Sequence, residues 1–363
     1  MGRARLRDLG IEPGYWPAGP LNAITDVAGV LVGHATVIRD APRVARTGVT
    51  VIVPAEDVGR RTQVFAGHES LNGNGEMTGL LWVAESGFLT TPIGITNTQD
   101  VGTVRDAISS LLYERDPEAR FFLPVAAETY DGWLSDIRGA HVTKAEVAEA
   151  LASARGGPVA EGNVGGGTGM ICHEFKGGIG TASRSVTTRG GRFTVGALVQ
   201  ANYGHRRLLR VDGVPVGREI DHDRVPSAWG HPRHDGSIIA VIATDAPLIA
   251  GQCTRLARRA TVGLARVGGV AHNGSGDIFL AFATGNAVPA GSHAPPGPVD
   301  VRMLPNPHMD PLIEGAVEAV EEAILNALTA AETMTGFQDH RAHAIPLDDL
   351  ARVMRQYARS PIG

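Results

Sequence analysis

Apolar residues occur along the chain in short runs or alternations, most of them bounded by Gly, Pro, Asn or Asp. Such runs and two-residue alternations between turn-forming residues predict β-strands. A Gly-rich turn between two of the strands predicts a hairpin over 178–204, and Asp-Gly between β-forming residues predicts another over 208–217. The predicted strands are 23–38 (with an internal Ala-Gly turn), 47–54, 91–97, 121–126, 178–187, 193–204, 237–245 and 278–282.

Other segments place apolar residues at helical spacing, which predicts amphipathic helices. Asp100 is an expected N-cap, Pro247 an expected first-turn residue, and Thr143 with Glu146 has the pattern of a capping box. Strands in runs joined by hairpins, with long helices between them, predict mixed sheets covered by helices in one α/β sandwich domain. The predicted helices are 76–89, 100–114, 143–154, 247–268, 310–332 and 347–358.

Composition and charge narrow the class of protein. The chain has 363 residues, of which 43% are hydrophobic, enough for a large buried core. The formal net charge is −5 and no run of five Lys or Arg occurs, so we expect no nucleic-acid partner. No run of 18 apolar residues occurs, so we also expect no membrane span.

Cysteine content and the N-terminal sequence bear on the compartment. Cys172 and Cys253 are too few for a disulfide framework and form no CxxC motif. The N-terminal segment lacks the apolar stretch of a secretion signal. We therefore expect a cytoplasmic protein.

Two patterns that could indicate a cofactor or a metal have simpler explanations. The glycines of 162–170 have a GxGxxG-like spacing, but the residues before them are typical of a helix end rather than of a strand, which argues against a dinucleotide site. Histidines have HxxH spacing in 231–234 and 340–343, but neither pair lies on a predicted helix with a third ligand nearby. We expect no cofactor and no metal.

The stretch AHNGSGDIFLAF, residues 271–282, begins with turn-forming residues and continues as a buried strand. Ser275 stands at the junction, between Gly274 and Gly276. An ordinary loop entering a strand would explain this pattern. A nucleophilic serine that needs close approach by other backbone would explain it as well.

Polar residues also end two other predicted strands. Glu128 and Tyr130 follow 121–126 two residues apart, so they point to one face if the strand continues. A carboxylate there could bind a substrate ammonium group, and a phenol could donate to a developing oxyanion. Asn202 supplies an amide donor near the end of 193–204. Each residue also fits an ordinary strand end.

Taken in order, these and further segments resemble the DmpA/BapA family of self-processing serine aminopeptidases, which cleave L-aminopeptides, D-alanine amides and β-peptides. The resemblance covers about residues 10–335. It implies an αββα sandwich similar to that of N-terminal nucleophile hydrolases. The segments that carry it are LNAITDVAGVLVGH, RTGVTVIVP, NGNGEMTGLLWVAESG, PIGITNT, ETYDGWLSD, NVGGGTGM, VGALVQANYG, VPVGREI, DGSIIAVIATDAPL, GSGDIFLAF and AVEEAILNAL.

The resemblance implies that Ser275 is the nucleophile and that the chain cuts itself at the Gly274–Ser275 bond. The single domain of residues 1–363 would then become an α chain, 1–274, and a β chain, 275–363. The new α-amine of Ser275, with an ordinary pKa of about 7.7–8.0, could act as general base without a histidine.

For the rest of the site, the resemblance implies that Asn202 donates to the oxyanion, with Tyr130 beside it, and that Glu128 binds the free amine of the substrate. The family also places a hydroxyl and an acidic residue of the C-terminal piece near the nucleophile. Asp310 and Glu321 are both candidates for that acid, and the sequence does not decide between them. A homotetramer of cleaved pairs is implied as well.

Three interpretations of the function remain open. The first is an aminopeptidase for short peptides, amino-acid amides or esters, including D-alanine or β-amino-acid substrates. The second is an ω-amino amide hydrolase of the nylon-oligomer type, although those relatives have a threonine nucleophile in place of Ser275. The third is a non-catalytic binding scaffold. Ornithine acetyltransferases share the implied fold, but their threonine-centred signature is absent from this sequence. Preference for the N-terminal residue would depend on loops such as 221–236.

Overall fold

We describe residues 3–229 and 235–359 of a computed structural model. Fourteen strands lie within these residues: β1 (Leu31–Arg39), β2 (Ala45–Val53), β3 (Thr62–Gly73), β4 (Phe88–Leu89), β5 (Ile93–Asn97), β6 (Val125–Thr129), β7 (Ile171–Cys172), β8 (Phe175–Lys176), β9 (Gly178–Thr188), β10 (Gly191–Asn202), β11 (Asp235–Thr244), β12 (Gly274–Pro289), β13 (Met334–Thr335) and β14 (Arg341–Ala342). None of the helices in the same residues is long and apolar enough to cross a membrane. These helices are α1 (Leu80–Ser86), α2 (Val101–Arg115), α3 (Lys144–Ser153), α4 (Val216–Glu219), α5 (Ala250–Ala257), α6 (Ala260–Val267), α7 (Asp310–Ala330) and α8 (Leu347–Arg359).

Two mixed sheets form the centre of the molecule. The smaller sheet has the strand order β1-β2-β5-β6 and the larger has the order β4-β3-β12-β11-β10-β9. Neighbouring strands are antiparallel except for the parallel pairs β5–β6 and β11–β12. Helices α2 and α3 pack on the smaller sheet, and α5 and α7 pack on the larger one. This αββα arrangement confirms the predicted fold class.

Separate hydrophobic clusters hold the four layers together. Ile239 and Leu280 belong to the cluster between the two sheets. Phe279 and Ile324 belong to the cluster between the larger sheet and its helices, and Ile108 to the cluster between the smaller sheet and its helices. Adjacent residues of one strand therefore enter different cores, as the two-residue period of a strand requires.

Local sequence signals predicted several elements correctly. The hairpin predicted over 178–204 consists of β9 and β10. Thr143 caps α3, because its Oγ1 accepts a hydrogen bond from the Ala145 amide at 3.2 Å. The Glu146 carboxylate accepts one from the Thr143 amide at 2.8 Å, which completes the predicted capping box.

Other predictions were correct only in part. The strands predicted over 23–38 and 121–126 begin at Leu31 and Val125, and Asp100 precedes α2 without capping it through its side chain. Residues 208–217 form a turn with a single bridge between Val211 and Val214, because α4 begins at Val216 and leaves no residues for a second strand. The helix predicted over 247–268 is divided into α5 and α6.

Strand β3 was not predicted from the sequence, since TQVFAGHESLNG mixes polar, small and apolar residues without clear alternation. Its position follows from antiparallel pairing with β12 over most of its length. At Gly67, a Cβ would lie 2.3 Å from Thr254 Oγ1 of α5, so the helix packs where only glycine fits. Tertiary pairing and packing outweigh the weak local preference here.

A buried ionic cluster joins α7 to β9 and to the N-terminal segment. Arg184 of β9 is fully buried, and its guanidinium lies 3.0 Å from the Glu318 carboxylate and 2.7 Å from that of Glu322. Arg7 approaches Glu322 at 2.8 Å. Burial alone would raise the pKa of Glu322, but the hydrogen bond from Arg7 and the charge of Arg184 outweigh burial, so this pKa lies below its ordinary value.

We predict that Arg184→Ala lowers the free energy of unfolding by about 3–5 kcal/mol, because two buried carboxylates lose their central counter-charge. Arg192→Ala removes an exposed arginine of the adjacent strand and should change it by less than about 0.5 kcal/mol. Urea denaturation measures both values. Since the pKa of Glu322 is lowered by folding, wild-type stability should fall as the pH drops through that lowered pKa. Equal free energies of unfolding for Arg184→Ala and Arg192→Ala would contradict the role of Arg184 as the counter-charge of the two buried carboxylates.

Candidate active site

The ends of neighbouring strands of the larger sheet form one wall of a cleft. Asn202 pairs with Ser237 across β10 and β11, and Ser237 pairs with Gly276 across β11 and β12. Thr98 and Glu128, at the ends of β5 and β6, extend the lining from the smaller sheet. The cleft has a volume of about 570 Å³ and is lined by residues that include Asn74, Glu76, Thr98, Glu128, Tyr130, Trp133, Asn202, Trp229 and Gly274.

Ser275 lies beside this cleft but does not line it. The residue is buried, and its Oγ donates a hydrogen bond to Asp277 Oδ1 at 2.7 Å. Along β12, Phe279 enters the core under the helices and Ile278 enters the core between the sheets. By the same alternation, Ser275 and Asp277 share the helix side, whereas Gly274 lines the cleft.

A second, much smaller cavity lies on the helix side of β12. Its volume is about 10 Å³, room for one water molecule, and its lining includes Ser275, Asp277, Tyr203, His205 and His272. In the continuous chain, the backbone of residues 274–276 therefore separates the Ser275 hydroxyl from the larger cleft.

Asp277 is the acidic residue in contact with Ser275. Burial raises the pKa of its carboxyl to about 6, although the hydrogen bond from Ser275 lowers it. The two acids considered from the sequence lie elsewhere: Asp310 is the first residue of α7, and Glu321 lies 3.0 Å from Arg266 of α6. The sequence did contain the signal for Asp277, because residues two apart on a strand share a face.

Both ends of the Asn202 amide are hydrogen-bonded. Oδ1 accepts from the Ile171 amide at 2.8 Å, and Nδ2 donates to the Tyr130 carbonyl at 2.9 Å. These two bonds fix which way the amide faces. Because an amide nitrogen carries two hydrogens, the second N–H of Nδ2 can donate to an acceptor in the cleft.

Glu128 presents a buried carboxylate to the cleft. The Glu76 amide donates to its Oε1 at 2.9 Å, and the Thr98 hydroxyl donates to its Oε2. Burial raises the pKa of Glu128 above its ordinary value, and these two hydrogen bonds offset part of that effect. A cation that enters the cleft would therefore meet a carboxylate that has already lost most of its water.

Tyr130 lies at the mouth of the cleft, with 47% of its surface exposed. Its phenol folds back over Gly132, where a Cβ would lie 2.3 Å from Oη. Glu128 and Tyr130 both line the cleft, as expected from their two-residue spacing. The structure thus brings Glu128, Tyr130, Asn202 and Gly274 to one cleft and leaves Ser275 on the other face of its strand.

The glycine-rich segment and the second HxxH motif make packing contacts in the described residues. The glycine-rich segment packs against the core: a Cβ at Gly166 would lie 2.2 Å from Gln200 Oε1. His340 stacks on Trp133 with a centroid distance of 3.6 Å. Residues 3–229 and 235–359 contain no group of three or more His, Cys, Asp or Glu side chains arranged to hold a metal. The HPRH motif, 231–234, lies outside the described residues.

Comparison with known proteins gives a consistent result over the whole chain. The model of the family described as Peptidase family S58 matches residues 22–342. A curated relative from Sphingosinicella microcystinivorans, "Beta-peptidyl aminopeptidase BapA", is 45% identical over 373 residues, which covers 98% of this chain and 93% of the relative.

Solved structures agree with that match. A "Burkholderia sp. beta-aminopeptidase" is 52% identical with a TM-score of 0.91, covering 99% of this chain and 100% of that one. An L-aminopeptidase D-Ala-esterase/amidase from Ochrobactrum anthropi, described as a prototype for the serine aminopeptidases and a variant of the Ntn hydrolase fold, is 46% identical with a TM-score of 0.91. The match covers 98% of this chain and 99% of that one.

Proposed function

Since the chain belongs to peptidase family S58, as a serine aminopeptidase with the Ntn hydrolase fold, we propose that it cuts itself between Gly274 and Ser275 and then uses Ser275 as its nucleophile. The observation that carries the proposal is the position of Ser275 at the start of β12, where the preceding residue lines the cleft and the hydroxyl already donates to Asp277. A cut at this bond would free the end of the strand and let the hydroxyl turn toward the cleft.

The proposed reaction needs no cofactor. After the cut, the α-amine of Ser275, with an ordinary pKa of about 7.7–8.0, accepts the hydroxyl proton as Oγ attacks the substrate carbonyl. The free N–H of Asn202 donates to the oxyanion that forms. The protonated amine then gives its proton to the leaving amine, and water hydrolyses the acyl-serine ester by the same route.

Glu128 would make the enzyme an aminopeptidase rather than an endopeptidase. Its buried carboxylate lies within the same cleft as Asn202, so a substrate ammonium bound there would bring the first peptide bond to the nucleophile. An interior peptide bond carries no such charge and would leave the carboxylate without a partner. We propose short peptides, amino-acid amides or esters as substrates.

We extend the proposed range of substrates to β-amino-acid and D-alanine compounds. The names of two relatives support this extension, since they describe a beta-peptidyl aminopeptidase and a D-Ala-esterase/amidase. Trp133 and Trp229 line the cleft and provide apolar walls for the first side chain of the substrate. An ω-amino amide hydrolase and a non-catalytic scaffold are both less consistent with Ser275 and with relatives that are named aminopeptidases.

We further propose a cytoplasmic homotetramer of cleaved pairs. Apolar side chains are exposed around a surface cavity of about 510 Å³, among them Trp82 and Phe121, and such patches are typical of protein contacts. Cys172 and Cys253 are free and buried, which fits a reducing compartment. Light scattering of the cut protein should give the mass of four cleaved chains, and Phe121→Glu should reduce it. A monomer mass for the wild type would contradict the tetramer.

The wild-type chain should mature into two pieces, residues 1–274 and 275–363, which intact mass and N-terminal sequencing identify. Ser275→Ala should stay one chain and be inactive, because both cleavage and turnover need the same oxygen. Ser237→Ala, which removes the hydroxyl of the adjacent strand, is the matched control and should still be cut. A second amino terminus elsewhere, or a cut Ser275→Ala chain, would show that the nucleophile is a different residue.

Glu128→Gln should raise KM for substrates with a free amino terminus by about ten- to a hundredfold, since a hydrogen bond between charged groups contributes roughly 1.5–3 kcal/mol. N-blocked esters should be affected far less. The pKa of Glu128 is raised, so the wild-type KM for free amines should also rise as the pH falls toward that value. Glu76→Gln removes an exposed carboxylate of the same cleft as a control. Equal losses for blocked and free substrates would remove Glu128 from the amine-binding role.

A further inference from the structure

The bond proposed to be cut is held by side chains on both of its sides in the continuous chain. Asn74, just after β3, donates from Nδ2 to the Gly274 carbonyl oxygen at 2.8 Å. On the other side, Ser275 Oγ donates to Asp277 at 2.7 Å, and the Ser275 amide donates to the His272 carbonyl at 2.8 Å. The carbonyl that must be attacked therefore has a polarising donor, and the attacking hydroxyl has an acceptor.

We propose that Asn74 and Asp277 catalyse the self-cleavage step, Asn74 as the oxyanion donor and Asp277 as the general base. The proposal rests on cleavage at Gly274–Ser275. It assigns the first reaction of the protein to residues that differ from those proposed for turnover of substrates.

Cleavage needs a separate base because the base proposed for turnover does not yet exist. Before the cut, the Ser275 nitrogen is part of a peptide bond and has no basic lone pair. Asp277 is the carboxylate in contact with the hydroxyl, and burial raises the pKa of this carboxyl only to about 6. Above that pH it is ionised and can accept a proton.

Cleavage also needs its own oxyanion donor. Asn74 Nδ2 already donates to the Gly274 carbonyl oxygen, whereas the N–H of Asn202 that does not bond to Tyr130 is the donor proposed for the substrate carbonyl. A donor that is already within hydrogen-bond distance of the reacting oxygen lowers the barrier without reorganisation. Asn72 holds the preceding turn in the same way, with Nδ2 donating to the His272 carbonyl at 2.6 Å.

The proposed step balances as follows. Asp277 takes the proton of Ser275 Oγ while Oγ bonds to the Gly274 carbonyl carbon, and Asn74 stabilises the negative oxygen. The C–N bond then breaks, and the Ser275 nitrogen takes the proton back from Asp277. This leaves a free Ser275 α-amine and an ester between Gly274 and Ser275 Oγ. Water then hydrolyses the ester to a Gly274 carboxylate and the Ser275 hydroxyl.

The test follows the rate at which freshly purified uncut chain becomes two pieces, measured by intact mass in acid-quenched samples. Asn74→Ala should slow this rate by about a hundredfold, as expected for loss of one oxyanion donor. Asn72→Ala, which removes the neighbouring amide but not the one at the reacting carbonyl, should slow it by less than about tenfold. Asn74→Ala molecules that have been cut should turn over substrate with a kcat close to that of the cut wild type. The factor by which kcat falls should be at least tenfold smaller than the factor by which the cleavage rate falls.

Asn202→Ala is the complementary variant, with kcat about a hundredfold lower and cleavage at close to the wild-type rate. Similar slowing of cleavage by Asn74→Ala and Asn202→Ala would overturn the assignment of Asn74. If the wild type is cut at Gly274–Ser275 and Asn74→Ala is cut equally fast, only this inference fails. A wild type that is never cut there overturns the proposed function as well.

Asp277→Asn tests the base while keeping the size of the side chain. Wild-type cleavage should speed up as the pH rises through about 6, where the Asp277 carboxyl ionises, and Asp277→Asn should be at least about a hundredfold slower without that rise. Thermal melting shows whether the variant is folded, and added formate should partly restore cleavage to Asp277→Ala. A wild-type pH profile in Asp277→Asn, or no rescue of folded Asp277→Ala by formate, would overturn the role of Asp277.

Discussion

The alternation of side chains along β12 is the constraint on which the site depends. The side chains on one face of this strand enter the core between the sheets, and those on the other face enter the core under the helices. A shift of the strand by one residue would exchange the two sets of side chains, so the register is fixed. The same register fixes the residues at its first end. Ser275 and Asp277 must share a face, and Gly274 must present its peptide to the cleft.

Packing of the two sheets places the remaining groups. Asn202 belongs to the larger sheet, yet its amide donates to the carbonyl of Tyr130, which follows the last strand of the smaller sheet. Glu128 lies two residues earlier on the same segment. The distance between the proposed oxyanion donor, Asn202, and the proposed amine-binding carboxylate, Glu128, is therefore set by how closely the sheets pack.

The sequence predicted what local patterns determine and missed what long-range pairing determines. The capping box of α3 and the hairpin β9–β10 involve residues close in the chain, and both were predicted correctly. Strand β3 and the contact of Asn74 with Gly274 depend on pairing across about 200 residues, for which a single sequence carries no signal. The two-residue period of a strand indicates that Asp277 faces the same way as Ser275, whereas the two acids predicted from the sequence, Asp310 and Glu321, lie on α7.

The central position of β12 also determines what cleavage would do to the molecule as a whole. Strand β12 would belong to the smaller piece, 275–363, but would be hydrogen-bonded on both sides to β11 and β3 of the larger piece, 1–274. The smaller piece would thus supply a central strand of a sheet whose other strands come from the larger piece. The two pieces could then separate only by unfolding, and refolding would require two different molecules to meet. Folding would change from a first-order to a second-order process that depends on concentration. The working life of the cut enzyme would be governed by its rate of unfolding rather than by an equilibrium between folded and unfolded chain.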